Sequence, residues 1–196
     1  KNNFMPRIET ETLAQHRDWR RNQLIEAAAS IALESGGAAV TVAAVAQRAG
    51  LSRTSVYEYF GSSADLIADL VLEELNNFAQ YLQEAVANTD QPLASIEAWI
   101  HSALTYIADG RHLLAKALNA TSLPQERTAA IGSAHRGLLA PLVSGLSAMG
   151  VKDTQRALLF IQAITDASTK RIEAGHDAEA EIKSATAFCI AGLSSI

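Results

Sequence analysis

The sequence has little of what marks an extracellular, membrane-embedded or metal-binding protein. Its 196 residues include a single cysteine, Cys189, so an intramolecular disulfide and a zinc site of several cysteines are both excluded. No apolar run reaches the ~18 residues that a membrane-spanning helix needs. The polar segment 1–18 has no apolar core of the kind found in signal peptides. We therefore expect a protein of the reducing cytoplasm that has no membrane partner.

Proline and glycine are scarce, and this scarcity favours helices. The chain has 4 prolines and 11 glycines, and its frequent alanines and leucines are good helix formers. Apolar residues recur at spacings of three and four, and no alternating strand pattern occurs. The predicted fold class is all-α with about nine helices, and Pro141 is predicted to kink or split the longest of the later ones. Helices are predicted at about 17–35, 42–49, after Ser52, 63–86, 93–108, 111–119, 124–148, 153–175 and 178–194.

Charge is distributed unevenly although the formal net charge is −5. Residues 1–63 carry seven Lys or Arg and six Asp or Glu, whereas the remainder carries nine and fifteen. Residues 1–63 are therefore slightly basic and rich in arginine, whereas the remainder of the chain is acidic. This asymmetry is too mild to establish nucleic-acid binding by itself.

A helix-turn-helix unit is predicted between residues 41 and 60. Thr41 is a good N-cap for the short helix 42–49, Gly50 suits a tight turn, and Ser52 can cap the next helix. The segment 49-AGLSRTSVYEYF-60 crowds donor-bearing side chains into two turns, with Val56 and Phe60 as its plainly apolar anchors. Such donors suit base edges and phosphates in a DNA groove. The candidate DNA-binding residues are Thr41, Arg48, Ser52, Arg53, Thr54, Ser55, Tyr57 and Tyr59. The alternative is a plain helical hairpin on a bundle surface.

A long series of positions in order makes this region recognisable. They are Ile25, Ala27, Ala28, Gly36, Thr41-Val42, Val45-Ala46, Ala49-Gly50-Leu51-Ser52, Val56-Tyr57-x-Tyr59-Phe60, Ser62 and Leu66. Residues 20–67 thereby resemble the N-terminal domain of tetracycline-repressor-like (TetR/AcrR family) transcriptional regulators. The resemblance implies a three-helix DNA-binding domain in residues 1–62, of which residues 1–16 form a flexible arm, and a ligand-binding and dimerisation domain in residues 63–196.

One position departs from the family pattern. The family commonly places a phosphate-binding lysine at the start of the fourth helix, where this chain has Ser63. Either backbone N–H groups and the serine hydroxyls substitute for it, or DNA affinity is lower and less dependent on salt. Phosphate contacts would then depend more heavily on Thr41, Arg48, Tyr57 and Tyr59.

The C-terminal part is expected to hold a small-molecule pocket. We predict an apolar cavity that contains a few polar side chains. The expected effector is therefore largely apolar, although Arg111, Arg127 and Arg136 could receive a carboxylate. For any single residue, an ordinary core position remains the alternative. No ligand spacing supports a metal site, and no cofactor is expected. The candidate pocket residues are Phe78, Tyr81, Trp99, His101, Tyr106, His112, His135 and Leu139.

Small and apolar positions alternate along the last two predicted helices, which suits a two-fold four-helix interface. The function predicted with the help of the resemblance is a homodimeric, non-enzymatic repressor that binds a near-palindromic double-stranded operator and is released by its effector. The alternatives are an all-α carrier or enzyme with a vestigial helix-turn-helix, and a regulator without an effector. No phosphate loop, nucleophile elbow or zinc helix motif favours an enzyme.

Overall fold

Helices account for all the regular structure in the described part of the chain. The computed structural model describes residues 13–118 and 123–193, with side chains from residue 15 onward, and no strand occurs in these ranges. The predicted all-α fold is confirmed. The helices are α1 (Leu13–Ser35), α2 (Val42–Ala49), α3 (Arg53–Tyr57), α4 (Ser63–Val86), α5 (Pro92–Ala108), α6 (Leu113–Leu118), α7 (Thr128–Ala148), α8 (Thr154–Glu173) and α9 (Ala178–Leu193), with 3₁₀ turns at Gly37–Ala39 and Gln125–Arg127.

Helices α1 and α7 differ from the sequence prediction. Helix α1 begins at Leu13 rather than near Arg17, since the sequence Leu-Ala-Gln has high helix propensity. The end of the predicted arm is thus helical, and its residues 1–12 lie outside the described residues. Helix α7 continues through Pro141, so the proline does not split it. The end of the last predicted helix, at residue 194, also lies outside the described residues.

The chain divides into two compact units, Lys1–Leu70 with Ala117–Pro124, and Val71–Lys116 with Gln125–Ile196. We call them the N-terminal and the C-terminal unit. The domain boundary expected at residue 62 stays a prediction. In the N-terminal unit, α1 packs on α2 and α2 packs on α3. Leu24, Ala28, Val45 and Val56 are fully buried there, so the short helices are fixed by a shared apolar core.

The C-terminal unit is built around α5, which packs against α7, α8 and α9. Ile96, Ile100, Leu142 and Leu146 are fully buried in its core. At the crossing of α5 and α7, a Cβ on Gly145 would lie 2.9 Å from Cγ1 of Ile96. Glycine is therefore required for these two helices to approach so closely.

No described helix combines the length with the apolar character that a membrane crossing requires. Within residues 13–118 and 123–193, no three His, Cys, Asp or Glu side chains are grouped in a way that could hold a metal ion.

Candidate nucleic-acid interface and effector site

Local hydrogen bonds between neighbouring residues build the α2–turn–α3 unit. The Ala44 N–H donates to the Thr41 hydroxyl oxygen at 3.1 Å, which closes the start of α2. Gly50 adopts φ 67° at the end of α2, and the Leu51 N–H reaches back to the Ala46 carbonyl at 2.9 Å. This left-handed turn ends the helix in a Schellman arrangement. At the start of α3, the Ser55 N–H donates to the Ser52 hydroxyl oxygen at 3.1 Å.

Helix α3 is anchored by its apolar side and exposes its polar side. Val56 is fully buried and Phe60 is 2% exposed. Arg53, Thr54 and Tyr57 of the same helix are exposed. The five-residue helix therefore presents one long cation, one short hydroxyl and one phenol to the solvent. That set can reach both phosphates and base edges.

The other predicted hydroxyls are partly engaged within the protein. The hydroxyls of Ser52 and Ser55 lie 2.9 Å apart and bond to each other. Tyr59 is half-buried, and the Arg17 guanidinium lies 5.9 Å from the centroid of its ring. Thr41 is exposed and accepts one backbone N–H, so its own O–H can still be donated.

Arg48, a predicted phosphate ligand, is bound to acidic and polar side chains of α1. Its Nη1 donates to Ser30 Oγ at 2.6 Å and to Glu34 Oε1 at 2.9 Å, and its Nη2 donates to Glu34 Oε2 at 2.6 Å. The hydrogen bonds from Arg48 and then Ser30 lower the pKa of Glu34 to about 2. The Arg48 charge is thus paired with a carboxylate in the protein without DNA, and its role as a phosphate ligand stays a prediction.

Ser63 replaces the expected lysine and has a structural partner. The Val42 N–H donates to Ser63 Oγ at 3.0 Å, so the first residue of α4 satisfies an N–H in the first turn of α2. The neighbouring Ser62 caps α4 by accepting the Asp65 N–H at 3.1 Å. The Ser63 O–H remains available as a donor.

Arginines of α1 extend the candidate surface beyond the residues chosen from the sequence. Arg17 lies over Tyr59, whereas Arg21 pairs with Asp69 at 2.7 Å and lies over the Phe60 ring. Trp19 is 45% exposed on the same helix. In the sequence, the run 17-RDWRR-21 stands out only by its positive charge. Its aromatic partners are about forty residues away, so no local pattern could reveal them.

Comparison with known proteins identifies the N-terminal unit. Residues 24–70 match the model of the bacterial regulatory proteins of the tetR family. This chain carries a TetR-family domain. This match agrees with the domain that the sequence resemblance implied for residues 20–67.

Relatives of known type agree with this assignment. The HTH-type transcriptional regulator BetI of Brucella anthropi is 35% identical over 96 residues, which is 49% of this chain and 46% of BetI. The HTH-type transcriptional activator FasR of Mycolicibacterium smegmatis is 26% identical over 91 residues, covering 46% of this chain and 42% of FasR. The match thus spans less than half the length of these curated relatives.

Solved structures of TetR-like regulators share the fold along most of the chain. FadR from Bacillus subtilis in complex with stearoyl-CoA superposes with a TM-score of 0.71 at 21% identity, covering 87% of this chain and 98% of FadR. A tetR family transcription regulator from Shewanella sp. PV-4 gives a TM-score of 0.68 at 16% identity, with 88% and 97% covered. These likenesses establish a TetR-like helical fold for the C-terminal unit as well.

Three of the eight predicted pocket residues lie together. The Phe78 and Tyr106 rings stack with centroids 4.3 Å apart, and the Tyr81 centroid lies 5.4 Å from that of Tyr106. The Arg111 guanidinium lies 4.5 Å from both tyrosine centroids. Burial and then the Glu74 charge raise the pKa of Tyr106. Tyr81, Tyr106, Arg111 and Glu74 line an open cleft of about 480 Å³.

The other predicted pocket residues are dispersed over the C-terminal unit. Trp99 is buried in the core and donates its indole N–H to the Leu138 carbonyl at 2.9 Å, and Leu139 packs beside the same core. His101 lines a groove between α5 and α9. His135 is exposed on α7. The three predicted histidines therefore do not converge with Trp99 on one cavity.

His112 belongs to a polar cluster that links the turn before α6 to the end of α8. Its Nε2 lies 2.8 Å from Glu173 Oε1, and Lys116 Nζ lies 2.9 Å from the same oxygen. Hydrogen bonds from Lys116 and then His112 lower the pKa of Glu173. The buried Nδ1 of His112 has no hydrogen-bond partner in the described structure.

Helices α8 and α9 expose an apolar face. Leu159, Phe160 and Phe188 are 59%, 61% and 70% exposed. Phe160 and Phe188 line an apolar groove of about 530 Å³. Cys189 is buried beside it, and burial raises the pKa of its thiol to about 11, so a thiolate is disfavoured.

Proposed function

We propose that the protein is a ligand-responsive repressor that binds a near-palindromic operator as a homodimer. The anchoring of α3 carries this proposal, because Val56 and Phe60 are buried while Arg53, Thr54 and Tyr57 stand exposed together. Five residues of helix bury too little surface to bind DNA tightly alone. Two copies one DNA turn apart, roughly 34–36 Å, would read two half-sites.

The apolar face of α8 and α9 supports the dimer. Two large aromatic side chains, Phe160 and Phe188, are mostly exposed beside small residues such as Gly192. Burying such a face is favourable, and small residues let helices approach closely. A two-fold arrangement of α8 and α9 would cover these rings with their own copies in the second subunit.

The cleft beside Tyr81 and Tyr106 is the proposed effector site. It offers aromatic walls and an arginine within one unit of the protein, and FadR from Bacillus subtilis, which shares the fold, binds stearoyl-CoA. Helix α4 contributes residues to both units, so a ligand that rests against it can bias the DNA-binding state. The ligand must prefer the state that does not bind DNA, since equal affinity for both states shifts nothing.

Selection of binding sites from random DNA with the purified protein tests the proposal. Enrichment of an inverted repeat, followed by a gel shift whose stoichiometry is two chains per site, is the expected result. Failure to enrich any repeat would overturn it. Because FasR is an activator, transcription from a promoter carrying the selected site decides the sign of regulation, and repression is the expected outcome.

A further inference from the structure

Arg111 is held in place by two aromatic rings rather than by an acid. Its guanidinium lies 4.5 Å from the centroid of Tyr81 and 4.5 Å from the centroid of Tyr106. The stacking of Phe78 on Tyr106 fixes the second ring. Arginine stacked on aromatic faces loses less freedom when it binds, because its plane is already oriented.

The guanidinium N–H groups of Arg111 have no hydrogen-bond partner among the described residues. No ion pair or hydrogen bond joins its guanidinium to any described residue, whereas Arg48, Arg156 and Arg171 each pair with a carboxylate. The two ring centroids are 5.4 Å apart, so both rings lie on one side of the guanidinium. Its N–H groups can still pair with the two oxygens of a carboxylate. The cleft therefore has a prepared position for one carboxylate group.

Acidic groups of α4 lie on the same cleft and limit what can enter it. Glu74 and Glu84 both line it, and ten helical residues separate them by about 15 Å. Glu84 accepts the Gln80 amide at 2.9 Å. Glu74 is half-buried, and desolvation followed by the Glu73 charge raises its pKa, while Arg111 opposes the rise. A simple anion would meet these carboxylates, and a simple cation would meet Arg111.

A ligand that carries both charges satisfies this arrangement. We propose that the cleft binds a free α-amino acid, whose carboxylate pairs with Arg111 and whose ammonium group faces Glu74. The volume of about 480 Å³ accommodates such a molecule. The assignment names the effector class for the site under Proposed function and rests on that function for its regulatory meaning. It also replaces the expected largely apolar effector by a more polar one, because charged groups border the rings.

Binding is tested on the full-length protein without DNA. The proteinogenic L-amino acids are screened at millimolar concentration by thermal shift, and each hit is titrated by calorimetry. The affinity of the hit is compared with that of two analogues, one lacking the amino group and one lacking the carboxylate. We expect the amino acid to bind roughly tenfold or more tightly than either single-charge analogue. Absence of binding by every amino acid, or equal binding of an analogue, overturns the proposal.

Matched variants assign the binding to the cleft. Arg111→Gln and Glu74→Gln should each weaken binding of the hit roughly tenfold or more, whereas Lys170→Gln, which changes an exposed lysine on α8, should leave it unchanged. Unchanged binding by both cleft variants would place the ligand elsewhere and overturn the assignment. If Arg111→Gln does not fold, Arg111→Lys keeps the charge but loses the paired donors, and it should weaken binding as well.

Operator gel shifts with the same hit separate the two proposals. An amino acid that binds in the cleft but leaves operator affinity unchanged contradicts the effector role while the cleft assignment stands. Operator binding by a protein that no amino acid binds contradicts the cleft assignment while the regulator stands.

Discussion

The helix caps of the α2–turn–α3 unit and the polar contacts around the C-terminal core span different sequence distances. In the N-terminal unit, Thr41 caps through Ala44 and Ser52 caps through Ser55, both three residues away. In the C-terminal unit, Trp99 donates to Leu138, and His112 meets Glu173 at a separation of 61 residues. The first arrangement depends mainly on local turns, whereas the second exists only when distant helices pack. The DNA-reading surface should therefore tolerate change in the C-terminal unit better than the effector site does.

The largest expected effect is the loss of the anchor under α3. Phe60→Ala removes a nearly fully buried ring, and large-to-small changes of this kind cost about 3–5 kcal/mol. We expect operator binding to disappear and the free energy of unfolding, measured by urea denaturation, to fall by that amount. Leu33→Ala on α1, where Leu33 is 56% exposed, is the control. A Phe60→Ala protein that still binds the operator would show that α3 does not need this core.

A comparable change in the C-terminal unit should affect assembly instead. Phe188 is 70% exposed on α9, and central aromatic residues of an interface contribute about 2 kcal/mol or more each. Phe188→Ser is expected to shift the protein from dimer to monomer in sedimentation velocity. Leu33→Ser, an exposed apolar change on α1, should leave the dimer intact. A monomeric parent protein would contradict the proposed interface directly.

Two arginines of the N-terminal unit should differ although both were predicted to contact DNA. Arg53 is exposed with no acidic partner among the described residues, and its loss should weaken operator binding by about 1–3 kcal/mol. Arg48 is already paired with Glu34, so Arg48→Ala should weaken it less. Tyr57→Phe, which removes one exposed hydroxyl, should also cost less than Arg53→Ala. Gel-shift titration at fixed salt ranks the three variants, and a larger effect at Arg48 would reverse this reading.

Ser63 allows a smaller test of the contact between α2 and α4. Ser63→Ala leaves the Val42 N–H without its 3.0 Å acceptor and should lower the free energy of unfolding by about 1 kcal/mol. Ser63→Lys also loses that acceptor but adds one cation per subunit, so the slope of log affinity against log salt should steepen by about two for a dimer. Thermal melts and gel shifts at several salt concentrations measure the two effects. An unchanged salt slope would show that a lysine here does not reach a phosphate.

The smallest effect expected is a dependence of protein stability on pH in the acidic range. The pKa of Glu34 is about 2 in the folded protein, against an ordinary value of 4.5, chiefly because Arg48 donates to it. The contribution of the pair is complete above pH 4.5 and is lost as the pH falls through about 2. Melting temperatures between these limits should fall less in Glu34→Gln than in the parent protein. Glu26→Gln on the same helix serves as the comparison, and identical slopes would contradict a stabilising pair.

Much of the fold could be predicted from the sequence, because its signals are local. The caps at Thr41 and Ser52 and the turn at Gly50 follow from residue types within a few positions. The partner of Arg48 could not be predicted, since Glu34 lies fourteen residues away on another helix. The same limit explains the candidate pocket. Trp99, His101 and Tyr106 share α5, yet only Tyr106 lies against α4 residues of the aromatic cluster.

The pairing of Arg48 with Glu34 has an evolutionary consequence. Glu34 contacts no residue of α3 through its hydrogen bonds, yet it holds a cation that would otherwise be free to meet a phosphate. Substitution of this one glutamate during evolution can therefore raise or lower the affinity for DNA of any sequence. The side chains proposed to contact the bases of the operator would stay the same. Relatives that differ at this position are expected to differ in how strongly they occupy DNA, and to share the sequence they prefer.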